Sequence, residues 1–236
     1  MSTMLDVSDV QPPTYDDTVN ESRVQLSCGE TPTLFLDRTI IFANTDPPRP
    51  LYEVSNNVCE ARFLVYGVQK IAYRVTSSAN GDKIRTRLDH IYDFSLDSLA
   101  LGEVVSIEGK MSSKRTVKET SMEPGISSWR VKDHFKVGEG AVHQLKHADE
   151  VHWKNMKGEV IAVETVAKRD KQKSLIGFPK LEIKIAMEDK ELDLLVTCWM
   201  ARVWRQSAGE VKEPMTWQDF KTISKIALNN NRWGFW

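Results

Sequence analysis

Leu192 to Trp204 reads Leu-Asp-Leu-Leu-Val-Thr-Cys-Trp-Met-Ala-Arg-Val-Trp, the one long stretch of the chain that is apolar nearly all the way round. On a helix, Leu192, Leu195, Val196, Trp199 and Val203 share one face, and Leu194, Cys198 and Ala201 lie roughly opposite. A helix greasy on both sides must be enclosed, by lipid or by protein. This one is interrupted by Asp193 and flanked by Arg202 and Arg205, and at about a dozen residues it falls short of the roughly 20 that a membrane span needs. No transmembrane segment is expected. Protein has to wrap it.

The wrapping material is β-type. Thr33–Leu36, Thr39–Phe42 and Leu51–Val54 read as strands around a Pro-rich turn at Thr45–Pro50. Ala61–Tyr66, Val68–Thr76, Lys83–Arg87 and Leu88–Leu96 follow, with Gly67 as a break and Asn80-Gly81 as a hairpin signal. Further candidates are Glu103–Glu108, Lys114–Thr120, Ser128–Val137, Val142–His147, Val151–Trp153, Gly158–Ala167 and Lys180–Met187. In Lys180–Met187 the residues Leu181, Ile183, Ile185 and Met187 alternate with Glu182 and Lys184, the half-buried pattern. Closing such a sheet removes its edges. Roughly eight strands already fill their own interior, so a barrel of about twelve needs a plug. The expected fold is mainly β: a closed antiparallel barrel of about twelve strands around a buried helix at 191–206. Trp199 and Trp204 are its bulkiest fillers. Gly209 is available to end this helix, and one additional C-terminal helix is expected at about 216–228, with Thr216 as N-cap.

Charge divides the chain. Residues 1–60 hold 10 acidic and 3 basic side chains, the remainder 23 and 29, and the total is −1. That balance gives no whole-chain reason to expect nucleic acid. Residues 1–31 read as an acidic, disordered arm, 32–208 as the barrel domain and 209–236 as an extension. The three scattered cysteines, Cys28, Cys59 and Cys198, and the absence of a basic-then-apolar start suit an intracellular, cytoplasmic protein.

Leu51-Tyr-Glu-Val54, Ile71-Ala-Tyr-Arg-Val75, Leu88-Asp-His-Ile-Tyr-Asp-Phe94 and Leu194-Leu-Val-Thr-Cys-Trp199, in this order, carry a resemblance to a known family. Over about residues 32–208 the chain resembles the tubby C-terminal-like superfamily, which includes the tubby, LURP-one-related and phospholipid scramblase families, and it looks most like the fungal branch. The resemblance implies a twelve-stranded barrel around a buried helix, and functions in phosphoinositide binding, membrane association or protein interaction. The chain departs from that pattern in continuing about thirty residues past the helix.

Two loops are basic: Lys110–Lys118, with Lys114 and Arg115, and Lys168–Lys173, with Arg169 and Lys171. If they converge, they form a site for an anionic phospholipid headgroup, in which each charge contributes about 1 kcal/mol. The plainer reading is solvated hairpin tips. Pro12-Pro13-Thr14-Tyr15 fits the Pro-Pro-x-Tyr ligand of WW domains, since prolines pre-set the extended helix that such grooves bind. Chance in a proline-bearing tail is the alternative.

His143, His147 and His152 with Asp149 and Glu150 resemble a metal cluster, but their parity does not converge. Glu188, Asp189, Glu191 and Asp193 lack a calcium-loop pattern, and acids at a helix N-terminus are favoured by its dipole anyway. Gly138-Glu-Gly140 is too short for a dinucleotide loop, and no nucleophile elbow or phosphate-binding loop occurs. No cofactor or metal is expected. The expected function is a non-enzymatic binding module for phosphoinositide, an anionic membrane surface or a partner protein. The alternatives are a lipocalin-like hollow barrel carrying a small apolar ligand, or an enzyme of unrecognised type.

Overall fold

Alternation of side chains builds the barrel strand by strand. The structure, a computed structural model, describes residues 31–78, 81–97, 104–125, 128–138 and 149–211. Fourteen strands follow in chain order: β1 (Thr33–Asp37), β2 (Ile40–Ala43), β3 (Arg49–Val54), β4 (Val65–Ser78), β5 (Gly81–Leu96), β6 (Val105–Gly109) and β7 (Glu119–Pro124). Next come β8 (Trp129–Val131), β9 (Phe135–Val137), β10 (Glu150–Asn155), β11 (Val160–Thr165), β12 (Lys168–Arg169), β13 (Leu175–Gly177) and β14 (Lys180–Ile183). All but β12 and β13 close into one antiparallel barrel, ordered β1-β14-β11-β10-β9-β8-β7-β6-β5-β4-β3-β2 and back to β1. Leu34 and Leu36 of β1, Ile41 and Ala43 of β2, and Leu181 and Ile183 of β14 show the rule: every second residue is buried.

The plug is α1 (Asp189–Val211). Every residue from Asp193 to Trp204 is buried, which a helix lying on one sheet face cannot achieve. Its apolar side chains form one core with residues from all twelve barrel strands. Trp204 packs against Tyr66 and Phe94, with ring centroids 5.3 and 5.7 Å apart. The interior that a lipocalin-like carrier would keep for its ligand is taken by this helix.

Two polar side chains interrupt that apolar surface, and both are answered. Asp193 accepts from the Tyr52 hydroxyl at 2.7 Å and pairs with Lys70 Nζ at 2.8 Å. Arg202, expected as a flank, is instead buried and holds the fully buried Glu164 through both carboxylate oxygens, while Trp153 Nε1 donates to the same carboxylate at 3.1 Å. Buried charges persist only when paired this completely. Together they pin the helix lengthwise.

Several boundaries differ from expectation. α1 runs five residues beyond Gln206, through Gly209, because Glu210 and the Val211 carbonyl are held by side chains of the loop before β14. Lys114–Val117 is loop, not strand. The four short strands expected between 61 and 96 are two long ones, β4 and β5, of 14 and 16 residues. Gly67 does not break β4; the His90–Asp93 contact, 2.7 Å long, lies over it, and a Cβ there would come within 3.2 Å of both. Ser78 pairs with Gly81, so the hairpin turns one residue earlier than a loop made of Asn80 and Gly81.

β3 accompanies β4 only as far as Lys70, and β6 accompanies β5 only as far as Tyr92. From Ile71↔Leu88 to Ser78↔Gly81 the two strands pair only with each other. Eight register pairs at ~3.4 Å per residue carry this two-stranded ribbon some 25 Å past the barrel rim. The rim concerned is the one where α1 begins. Pro12, Pro13 and Tyr15, and the helix expected at 216–228, lie outside the described residues. Among the described residues no helix is long and apolar enough to cross a membrane.

Candidate anion-binding site

The two basic loops do not meet. The loop between β6 and β7 sits where α1 begins, since Lys190 Nζ donates to the Ser113 carbonyl at 2.8 Å. The β12–β13 loop sits where α1 ends, with Arg169 Nε 3.0 Å from Glu210 Oε2. Twenty helical residues separate Lys190 from Glu210, ~30 Å at 1.5 Å of rise per residue. One headgroup cannot touch both.

At the far rim the cations are occupied by the fold itself. Arg169 is only 12% exposed. It donates to Glu210, to the Lys173 carbonyl at 2.9 Å, to the Cys59 carbonyl at 2.5 Å and to Ser207 Oγ at 3.3 Å. Lys173 Nζ donates to the Val211 carbonyl at 3.2 Å, and Lys168 pairs with Asp149 at 2.6 Å. Lys171, at the tip of the loop, is exposed. These contacts strap the β12–β13 loop and the 3-10 turn Val58–Glu60 onto the last turn of α1.

At the near rim the β4–β5 ribbon presents a different arrangement. Lys70↔Asp89, Ala72↔Arg87 and Arg74↔Arg85 are directly opposed pairs and therefore share one face. Lys70 reaches Asp193 of α1, so this is the face turned toward the barrel axis. Arg87 Nη2 and Arg115 Nη2 both donate to Asp89 Oδ2, at 2.9 and 3.2 Å. Arg74 and Arg85 are exposed, and among the described residues neither forms an ion pair. Two arginines facing each other without a carboxylate repel one another. Four guanidinium groups thus gather around a single carboxylate. The ribbon's other face carries Ile71, Tyr73, Ile84 and Leu88, the last two 68% and 52% exposed.

The loop bearing Lys114 and Arg115 is fixed from beneath. The Arg115 and Thr116 amides donate to the Ser112 carbonyl, Thr116 Oγ1 to the Met111 carbonyl, and the Val117 amide to the Tyr92 hydroxyl at 2.8 Å. It folds so closely over Gly109 that a Cβ there would stand 2.1 Å from the Val117 carbonyl. Lys114 is exposed beside it. Lys114 and Arg115 therefore join the ribbon site, and Lys168, Arg169, Lys171 and Lys173 do not.

Electrostatics separate the two carboxylates nearby. Burial pushes the Asp89 carboxyl up, but hydrogen bonds and charges from Arg87 and Arg115 outweigh it and hold the group below its ordinary value. Burial also raises Asp193, and there Lys70 and Tyr52 only partly offset it. Asp193 is already committed to those partners, and Asp189 lies 3.7 Å from Lys70, so these acids do not form an open cation cradle. His143 and His147 lie outside the described residues. Among the described residues no three His, Cys, Asp or Glu side chains gather as metal ligands. Burial drives the Cys198 thiol well up and the Cys59 thiol to about 11, which suits neither to nucleophilic work.

Arg74, Arg85 and Arg87 were hidden in the sequence because each sits inside a strand-like run, not in a loop. Counting outward from the hairpin turn would have found them. No protein-family model, curated protein or solved structure matches the chain.

Proposed function

We propose that the protein is a non-enzymatic, tubby-like binding module that recognises the phosphorylated headgroup of an anionic phospholipid at a membrane surface, through the β4–β5 ribbon. The observation that carries this reading is the directly opposed, uncompensated pair Arg74–Arg85, with Arg87 and Arg115 beside it. Guanidinium forks match phosphate oxygens geometrically and give up hydration more readily than ammonium groups. The apolar face with Ile84 and Leu88 supports a membrane over a soluble anion. An amphipathic element lies in the interface with its apolar side toward the acyl chains while arginine stems carry their heads to the phosphates. Lys114 and Arg115 close the site from the barrel side.

The arm holding Pro12, Pro13 and Tyr15 leads to β1, whose first residue lies at this same rim. A WW-domain protein recruited there would stand beside the membrane contact. An intracellular setting follows from this reading, since anionic phospholipids line the cytoplasmic leaflet.

Sedimentation with vesicles of phosphatidylcholine containing a few per cent phosphatidylinositol 4,5-bisphosphate tests the proposal. The wild-type chain binds these vesicles and not pure phosphatidylcholine, and releases them as salt rises. The Arg74→Ala/Arg85→Ala variant loses about thirtyfold in affinity, two charges at about 1 kcal/mol each. Equal binding by wild type and variant, at unchanged thermal stability, would sink the reading.

A further inference from the structure

A second cationic feature stands on the outer wall of the barrel, away from the ribbon. Arg130 of β8 directly opposes Lys136 of β9, and Lys136 in turn directly opposes Lys154 of β10. Their strand neighbours Val131, Phe135, Val137 and Trp153 are buried, so the three cations lie on the outward face in one row across the sheet. Like charges placed directly opposite destabilise a sheet, and here the unfavourable pairing occurs twice in succession. Lys132 at the β8–β9 tip adds a fourth cation. Glu123, directly opposite Arg130, and Asp133 are the acids that face the row. Between Ser121, Arg130, Lys136 and the half-exposed Met156 runs a shallow groove of about 450 Å³.

The geometry points to a binding site for a small soluble polyanion bearing adjacent phosphate monoesters. Neighbouring strands lie ~4.8 Å apart, so the row offers two gaps between cations about 5 Å from each other. Each gap accepts one phosphate shared by two positive side chains, which converts the repulsive ladder into an alternating one. A carboxylate ligand uses such a row less well, because a phosphate monoester brings more charge and more acceptor oxygens to each gap. The groove holds a ring-sized molecule and is too shallow to enclose one, so the site is wet and salt-sensitive. Glu123 narrows the row at one end, and the anion is centred on Lys136. This site is independent of the membrane reading: it lies on other strands and uses none of the ribbon arginines.

Titration calorimetry and thermal melting with inositol hexakisphosphate as the probe test it on the full chain. Wild type and Arg74→Ala/Arg85→Ala bind the probe equally and melt several degrees higher in its presence, because a ligand selective for the folded state stabilises it. Arg130→Ala/Lys136→Ala loses at least tenfold in affinity and most of that shift. Without the probe, this variant melts at or slightly above the wild-type temperature, since relief of like-charge repulsion accompanies the loss of the site. Loss of probe binding in the ribbon variant instead would overturn the assignment, as would equal binding by all three proteins or no binding at all. Vesicles containing phosphatidylinositol 4,5-bisphosphate supply the second arm. If Arg130→Ala/Lys136→Ala fails on vesicles yet binds the soluble probe normally, the wall is part of a membrane surface and the proposal falls. Normal vesicle binding by that variant, together with its loss of the soluble probe, supports it.

Discussion

Arg169 and Arg85 are the same residue type, each on a short antiparallel pair at a barrel rim, and their circumstances are opposite. Arg169 is nearly enclosed and gives its hydrogens to Glu210, Ser207 and two backbone carbonyls. Arg85 is exposed and faces Arg74. The far rim uses its cations to hold the end of the helix; the near rim leaves a surplus of positive charge without an internal partner. A basic loop in a sequence therefore says little about the charge a partner meets. What counts is the number of carboxylates and carbonyls that the fold brings within reach.

That contrast can be tested most severely at the most committed arginine. Glu164→Gln leaves Arg202 charged and buried without its counter-ion, and should cost about 3–5 kcal/mol in denaturant unfolding. Arg169→Ala should cost about 2 kcal/mol, the worth of several hydrogen bonds from a charged donor, while vesicle affinity stays at the wild-type value. A fall in vesicle affinity without loss of stability would reverse the assignment of the two rims. Asp89→Asn is the mildest change and acts in the other direction. It removes the one carboxylate between Arg87 and Arg115, so binding to anionic vesicles should tighten a few-fold.

The same variant carries a pH signature. A carboxyl held below its ordinary value stabilises the fold above the unfolded value, about 3.9, and loses that contribution as pH falls through the depressed folded value. Acid titration of wild-type stability should therefore show a descending limb below pH 4 that is shallower in Asp89→Asn. Melting temperatures between pH 2.5 and 6 measure the difference.

The sequence reveals the barrel more readily than its decoration, for a physical reason. A helix apolar on every side has one soluble solution, enclosure, and alternating strands supply the enclosing wall. Trp199 and Trp204 announce the core by size and hydrophobicity alone. The polar anchors are harder to read: Asp193 and Arg202 look like interruptions until Lys70, Tyr52 and Glu164 come into contact from strands far along the chain. The ribbon was legible in part. Whether the turn is centred on Asn80-Gly81 or one residue earlier, Arg74, Arg85 and Arg87 fall on the same face, because either register preserves the parity. Its projection beyond the rim was not legible, since that depends on where β3 and β6 stop pairing. Convergence of the two basic loops failed for a similar reason: the order of strands around a closed sheet, and the direction each one runs, decide which rim a loop occupies.

The ribbon also has a mechanical meaning. An antenna some 25 Å long holds its target at a distance from the body that supports it. Docking at its tip asks nothing of the packed interior: no gate has to open and no tryptophan has to repack. Residues near the tip are then free to change what is captured while the central rod continues to set how firmly the chain folds, so specificity and robustness can drift apart under mutation.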